Sequence, residues 1–139
     1  MAGKISAKSA VITIKDSGGT ARTISSDCDS FEIQQQAGAL EVTGFGDTAK
    51  NYIPGLPVYE VTLNVFYDNT STTGAWAVLN GIFLQSTATV LTIKPDPAGQ
   101  TLTMSCMVDA VTMKGTPAGK LEIGQIKLLN MGTGGGTWA

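Results

Sequence analysis

The sequence contains no histidine, and this absence excludes several kinds of catalytic and metal site. Without an imidazole there is no Ser-His-Asp triad and no Cys-His pair, and the usual nitrogen ligand of zinc sites is missing. The segment Gly115 to Lys120, GTPAGK, has three residues between its glycines, whereas a phosphate-binding loop has four. We therefore predict that the protein is not an enzyme, with no catalytic residue, no cofactor and no metal.

Charged residues are also scarce. They make up 14% of the chain, against about 25% in an average domain, and the formal net charge is -2. Such a balance provides no basic surface for gripping phosphates, so tight binding of nucleic acid is not expected. A folded domain with so few charges is expected to hold much of its surface against other protein.

Cysteines and long hydrophobic runs are few as well. The two cysteines, Cys28 and Cys106, are too few for a disulfide framework, and we predict buried or half-buried free thiols. The first apolar run, Val11 to Ile14, is too short for the hydrophobic part of a signal peptide. No window approaches the roughly 18 apolar residues of a membrane span, so we expect synthesis in the cytoplasm and no membrane span.

What the sequence does contain is typical of a β-rich chain. It has 17 glycines among many Thr, Ser, Val and Ala residues, and its 139 residues suit a single domain over 1–139. Apolar residues at helical spacing between Trp76 and Phe83 predict one helix over 72–85, capped by Thr72 or Thr73. Strands are predicted over 11–15, 21–25, 30–36, 40–43, 57–68, 88–94, 101–108, 111–114 and 120–130. Together they predict a mainly β fold, either a two-sheet β-sandwich or a half-open barrel with one flanking α-helix.

Two hairpins are predicted near the start of the chain. The segment Asp16-Ser17-Gly18-Gly19 suits a tight turn between the first two strands, because glycine adopts the positive φ that such turns require. Ala37-Gly38-Ala39 is interpreted as a second turn, which would pair 30–36 with 40–43. In the first strand of this hairpin Glu32, Gln34 and Gln36 share one face, since side chains alternate along a strand. This face is polar without being strongly charged, as an ordinary solvent-facing sheet would be.

A long loop over 44–57 is the most unusual segment. It is too long for a hairpin turn and too apolar for an idle linker, because Phe45, Tyr52, Ile53 and Leu56 need a surface to pack on. We predict that this loop serves assembly. The segment 1–9 is predicted to be an N-terminal arm.

The C-terminal segment 131–139, MGTGGGTWA, is predicted to be a flexible tail. Its glycines give it a high conformational entropy, so only a substantial contact could order it. Trp138 is the one large side chain there, and we expect it to make that contact with another subunit.

The succession G-F-G-D, then Y-I-P-G-L, then an alternating strand ending in F-Y-D resembles the tail tube (major tail) proteins of long-tailed bacteriophages. The resemblance covers the chain from about Ile12 to Asn130. It implies two packed sheets with a flanking helix, and homo-hexameric rings that stack into a tube around a DNA channel. The matching stretch of the long loop, which in this family reaches the adjacent ring, contains Gly44, Gly46, Asp47, Tyr52, Pro54 and Gly55.

The resemblance also implies roles for particular residues. Intersubunit or inter-ring contacts are expected at Phe45, Asp47, Tyr52, Ile53, Pro54, Leu56 and Trp138. A polar and acidic channel wall is expected at Glu32, Gln34, Gln36, Glu41 and Glu122. The implied partners are other copies of the chain, other tail proteins at the tube ends, and double-stranded DNA that passes without tight binding, in a virion tail made in the host cytoplasm.

A different class of function also fits the composition. A small β-sandwich binding module, such as a carbohydrate- or receptor-binding domain or a capsid decoration protein, would have the same strand content. Exposed Trp and Tyr on a rigid face would favour this alternative. Aromatic residues confined to loops and tails favour assembly.

Overall fold

The structure, a computed structural model, describes residues 6–119, 121–132 and 135–139. Its helix, α1, is Ala75–Ile82. Its strands are β1 (Val11–Lys15), β2 (Ala21–Thr23), β3 (Cys28–Gln36), β4 (Leu40–Glu41), β5 (Tyr52–Ile53), β6 (Val58–Phe66), β7 (Thr89–Lys94), β8 (Leu102–Lys114), β9 (Glu122–Asn130) and β10 (Thr137–Trp138). Short 3-10 turns occupy Ala7–Ser9 and Ser25–Asp27. The first residues of the predicted N-terminal arm, 1–5, lie outside the described residues.

Eight strands form one antiparallel sheet in the order β2-β1-β7-β8-β9-β6-β3, and β10 adds to β8. The two edge strands, β2 and β3, are joined by residues 24–27 alone. Seven flat strands at about 4.8 Å spacing would place these edges about 29 Å apart. The connection can span only about 18 Å, so the sheet must curl. The predicted half-open, mainly β fold with one helix is therefore confirmed.

The curled sheet encloses the hydrophobic core. Each long strand turns alternate apolar side chains inward, as in the buried row Val61, Leu63 and Val65 of β6. Helix α1 packs on this core with its own buried face, Ala75, Val78, Leu79 and Ile82. Such a stripe recurs at three- and four-residue spacing and therefore packs on one surface. Burial of this face stabilises a helix of eight residues, which would not persist alone in water.

The first predicted hairpin is confirmed. β1 and β2 pair through Lys15 and Ala21, and Gly19 adopts a φ of 84° in the turn between them. The carboxylate of Asp16 accepts hydrogen bonds from the backbone N–H groups of Gly18 and Thr20, each at 3.0 Å. Its second oxygen accepts from Arg22 at 2.9 Å. These bonds hold the pKa of Asp16 below its usual value.

The second predicted hairpin is wrong. β3 does not pair with the segment after Ala37; it pairs with β6, in a register that ends at Gln36 opposite Val58. β4 pairs instead with β5, with Leu40 opposite Ile53. The physical reason is the length of the pairing, because β6 can pair with β3 along its whole length whereas the two-residue β4 cannot. Gly38, at a φ of 60°, lies between β3 and β4, and the chain does not turn back on itself there.

Helix α1 is shorter than the predicted 72–85 and begins differently. Thr72 has a positive φ of 72°, which is incompatible with a helix start at that residue. Gly74 occupies the N-cap position and makes no side-chain cap bond. The carboxylate of Asp27 accepts from the Ala75 N–H at 3.3 Å and so supplies the cap from a distant segment.

Candidate assembly surfaces

An arm projects from the sheet, and we define it as residues 37–57. Its two strands continue the β3–β6 hairpin, because the Gly55 N–H donates to the carbonyl of Ala37 at 3.0 Å and β4 then pairs with β5. Farther out, the Val42 N–H donates to the carbonyl of Asn51 at 2.8 Å. The predicted long loop is thus the outer part of a backbone-bonded ribbon, which gives its tip a defined direction.

The arm carries most of its apolar side chains in the open. Phe45 is fully exposed, Leu56 is 89% exposed and Tyr52 is 53% exposed. Ile53 is also exposed, as is Pro54. Exposed apolar groups concentrated on one projection are typical of an interaction surface. That this arm contacts another subunit remains a prediction.

The tip of the arm is shaped by a carboxylate. Asp47 accepts a hydrogen bond from the Gly44 N–H at 2.7 Å, and the Asp47 N–H donates to the carbonyl of Gly44 at 3.2 Å. Gly46 adopts a φ of 94° within this turn. The turn therefore holds Phe45 away from the ribbon. Two further apolar residues of the arm, Leu40 and Val42, are also exposed, although the sequence did not predict them as contact residues.

The outward face of the sheet carries the predicted polar residues of β3. Glu32, Gln34 and Gln36 are all exposed. Directly paired residues share a face, so Glu32 lies beside Thr62 and Gln34 lies beside Glu60. We call Glu32, Gln34, Gln36, Glu60 and Thr62 the polar wall. Glu60 was not among the predicted wall residues, although the alternation of β6 identifies it as outward-facing.

The other two predicted wall residues lie elsewhere. Glu41 belongs to the arm, where it pairs with Tyr52. Glu122 begins β9 opposite Phe66, at the end of β6 that is far from Val58. The structure therefore groups three of the five predicted wall residues and separates Glu41 and Glu122 from them. Which side of the sheet faces a lumen stays a prediction.

One side chain ties the strands of this sheet together. The Asn64 amide donates to the Ser30 hydroxyl at 2.9 Å, and its oxygen accepts from the Gln125 N–H at 2.7 Å. Asn64 thus links β3, β6 and β9 where the register shifts between Leu63 and Val65. Gln125 has a φ of 52°, as expected for a residue in a β-bulge. Nothing in the strand pattern predicts this link, because it depends on the register.

The C-terminal residues differ from the predicted flexible tail. β10 pairs antiparallel with β8, and the Thr101 N–H donates to the carbonyl of Ala139 at 2.8 Å. Trp138 is half-buried against the core of its own chain. The Tyr59 ring lies so close to Gly135 and Gly136 that a Cβ at either position would overlap it. Residues 133 and 134 of this segment lie outside the described residues.

Both cysteines are free, Cys106 buried and Cys28 half-buried, so the predicted thiol state is confirmed. Burial raises the pKa of each thiol to about 12. A thiol of that pKa is almost wholly protonated at neutral pH and is a weak nucleophile.

Among the described residues, no three His, Cys, Asp or Glu side chains are arranged to hold a metal ion. In the same part of the chain, no helix is long and apolar enough to cross a membrane.

Two carboxylates meet beside the start of α1. Burial raises the pKa of Asp27, and the nearby charge of Asp68 acts in the same direction. The bond from the Ala75 N–H opposes both effects. Asp68 accepts hydrogen bonds from the hydroxyl of Thr70 at 2.6 Å and from its N–H at 2.9 Å. These bonds hold the pKa of Asp68 below its usual value, so Asp27 is the carboxyl that protonates more readily.

The protein resembles known proteins in its fold. No protein-family model matches the sequence, and no curated protein matches it. The fold is similar to a chain in the tail of an empty gene transfer agent particle with C6 symmetry, with a TM-score of 0.80 and 13% identity over 98% of this chain and 99% of that one. It is similar to the SPP1 tail tube, with a TM-score of 0.71 and 7% identity over 93% of this chain and 75% of that one.

A third similar structure is the baseplate of the anti-feeding prophage, with a TM-score of 0.69 and 10% identity over 100% of this chain and 97% of that one. The three share a fold with this protein across nearly its whole length. Their sequence identities are too low to compare individual residues. The predicted resemblance to phage tail tube proteins is thus confirmed at the level of the fold, which this chain shares with proteins of tails and tail-like particles.

Proposed function

We propose that the protein is a structural subunit of a phage tail tube, in which homo-hexameric rings stack around a channel for the genome. The observation that carries the proposal is the similarity to a tail chain of C6 symmetry over 98% of this chain. That neighbour is a subunit of an assembled tail, and the fold is shared from end to end. The exposed arm supports the same proposal, because it is a projection that a lone subunit leaves uncovered.

Besides the outer side of β2, the sheet has two open edges that suit ring formation. Within the described residues, β3 pairs with β6 on one side only, and β8 beyond Cys106 pairs with β9 on one side only. Open edges expose unpaired backbone groups and favour pairing with another chain. A closed ring in which β3 of one subunit meets β8 of the next satisfies both edges at once.

The polar wall supports a role in passage of DNA. In a ring closed through these edges, one face of the joined sheet lines the channel, and we assign that face to the polar wall. Glu32 and Glu60 make it acidic, while Lys127, opposite Thr62, partly offsets their charge. A wall of amides and hydroxyls, on which the carboxylates outnumber the neighbouring lysine, repels phosphates weakly and does not bind them tightly.

Electron microscopy of the concentrated, purified protein tests the proposal. We expect rings or tubes with six-fold symmetry by negative stain. Met113 is 43% exposed and lies on the open part of β8, so Met113→Lys should block edge pairing and leave a folded monomer.

Ser105→Lys is the matched control. Ser105 is exposed on the same strand, but its backbone has a neighbour on both sides. It pairs with Val90 of β7 on one side, and its carbonyl accepts from the Met131 N–H on the other, so a lysine there is not on an open edge. Circular dichroism checks the fold of both variants. Wild-type protein that remains monomeric at high concentration, or Met113→Lys protein that still forms rings, would contradict the proposal.

A further inference from the structure

A pocket opens between β1, the segment before it and the start of β3. Its volume is about 440 Å³, which is ample for an aromatic side chain. The apolar part of its lining comes from Ala10, Ile12, Cys28 and Phe31. Lys8 and Asp29 provide one charge of each sign. The pocket therefore suits an apolar ligand group flanked by charges of both signs.

The arm leaves the opposite end of the same strand. β3 runs from Cys28, which lines the pocket, to Gln36, where the arm begins. At about 3.3 Å per residue the strand separates the two features by about 26 Å. The arm projects away from the body, so it cannot fill the pocket of its own chain. A contact between the arm of one copy and the pocket of another is head-to-tail, and repetition of such a contact builds an open stack.

The tip of the arm matches the pocket in chemistry. Phe45 is fully exposed between two glycines, so neither neighbour hinders its insertion. Asp47 and Lys50 are exposed beside it and provide one charge of each sign. Their signs complement those of Lys8 and Asp29. An aromatic anchor in a pocket with a charged rim is a common arrangement at the centre of a protein interface.

We propose that Phe45 of one subunit inserts into the pocket at the start of β3 of a subunit in the next ring, with Asp47 and Lys50 facing Lys8 and Asp29. This inference rests on the proposed function, since it requires stacked copies. It adds the receptor surface on the second copy and identifies the residue that anchors the contact.

Photocrosslinking tests this contact in assembled tubes. Phe45→p-benzoylphenylalanine places a photoreactive ketone at the tip, and irradiation followed by mass spectrometry identifies the residues that it reaches. We expect crosslinks between chains to residues 8–12 and 25–31. Tyr52→p-benzoylphenylalanine is the control, because it puts the same group partway along the same arm, away from the tip, and should not reach these segments.

A second measurement addresses the strength of the contact. Phe45→Ala should raise the subunit concentration needed for tube growth by about tenfold or more, as for loss of an aromatic anchor. If the protein forms tubes but the probe at position 45 crosslinks to other segments, the docking is overturned and the tube function stays intact. A wild-type protein that forms no tubes would overturn the tube function and the docking together.

Discussion

Trp138 provides the clearest test of whether residues 135–139 are docked in the free subunit. The structure places its ring against the core, whereas the glycine-rich sequence around it predicts a flexible tail. Replacing a fully buried Trp by Ala lowers the free energy of unfolding by about 3–5 kcal/mol. Since Trp138 is half-buried, Trp138→Ala should lower the free energy of unfolding by about 2 kcal/mol. For a domain of this size such a loss lowers Tm by about 8 °C.

The assay is thermal unfolding of dilute, unassembled protein by circular dichroism. Trp138→Phe keeps an aromatic ring in place and should recover more than half of the loss. Thr137→Ala changes the exposed neighbour on the same strand and should shift Tm by less than about 2 °C. An unchanged Tm for Trp138→Ala would refute the docked position and support the predicted flexible tail instead.

Two further predictions concern charge. Burial raises the pKa of Asp27, so its stabilising effect is complete below the ordinary value of 3.8 and is lost as pH rises through the folded pKa. Asp27→Asn should therefore raise Tm at pH 7 but not below pH 3.8; a lower Tm at pH 7 would mean that the carboxylate cap dominates. Glu32→Lys with Gln34→Lys should leave assembly intact but slow genome ejection at low salt, an effect that high salt removes. Ejection at the wild-type rate at low salt would contradict the assignment of the polar wall to the channel.

The sequence predicted those parts of the fold that depend on local pattern. Alternation in β6 identified its buried row, and the Gly18-Gly19 pair identified the first hairpin. Length and apolar content singled out the segment 44–57, in which Phe45 is fully exposed. Each of these features is decided within about ten residues, where propensity and periodicity act directly.

The features that the sequence did not predict depend on distant contacts. The sequence predicts the wrong partner for β3, because a glycine at position 38 is typical of a tight turn. The longer pairing with β6 is more favourable. The cap of α1 comes from Asp27, which is 48 residues away from Ala75. The position of residues 135 and 136 depends on Tyr59, because its ring lies where a Cβ at either glycine would be. No local pattern contains these relations.

The order of the strands also has a consequence for how the protein is made. The hairpin of residues 11–23 and the hairpin of residues 28–66 lie on opposite sides of the sheet, separated by β7, β8 and β9. These three central strands are all translated last among the long strands, from Thr89 onward. A nascent chain therefore carries these two hairpins without the central strands that lie between them in the sheet, until Asn130 has been translated. The arm is translated early, but the sheet that holds it in place is complete only once residues 89–130 have been made.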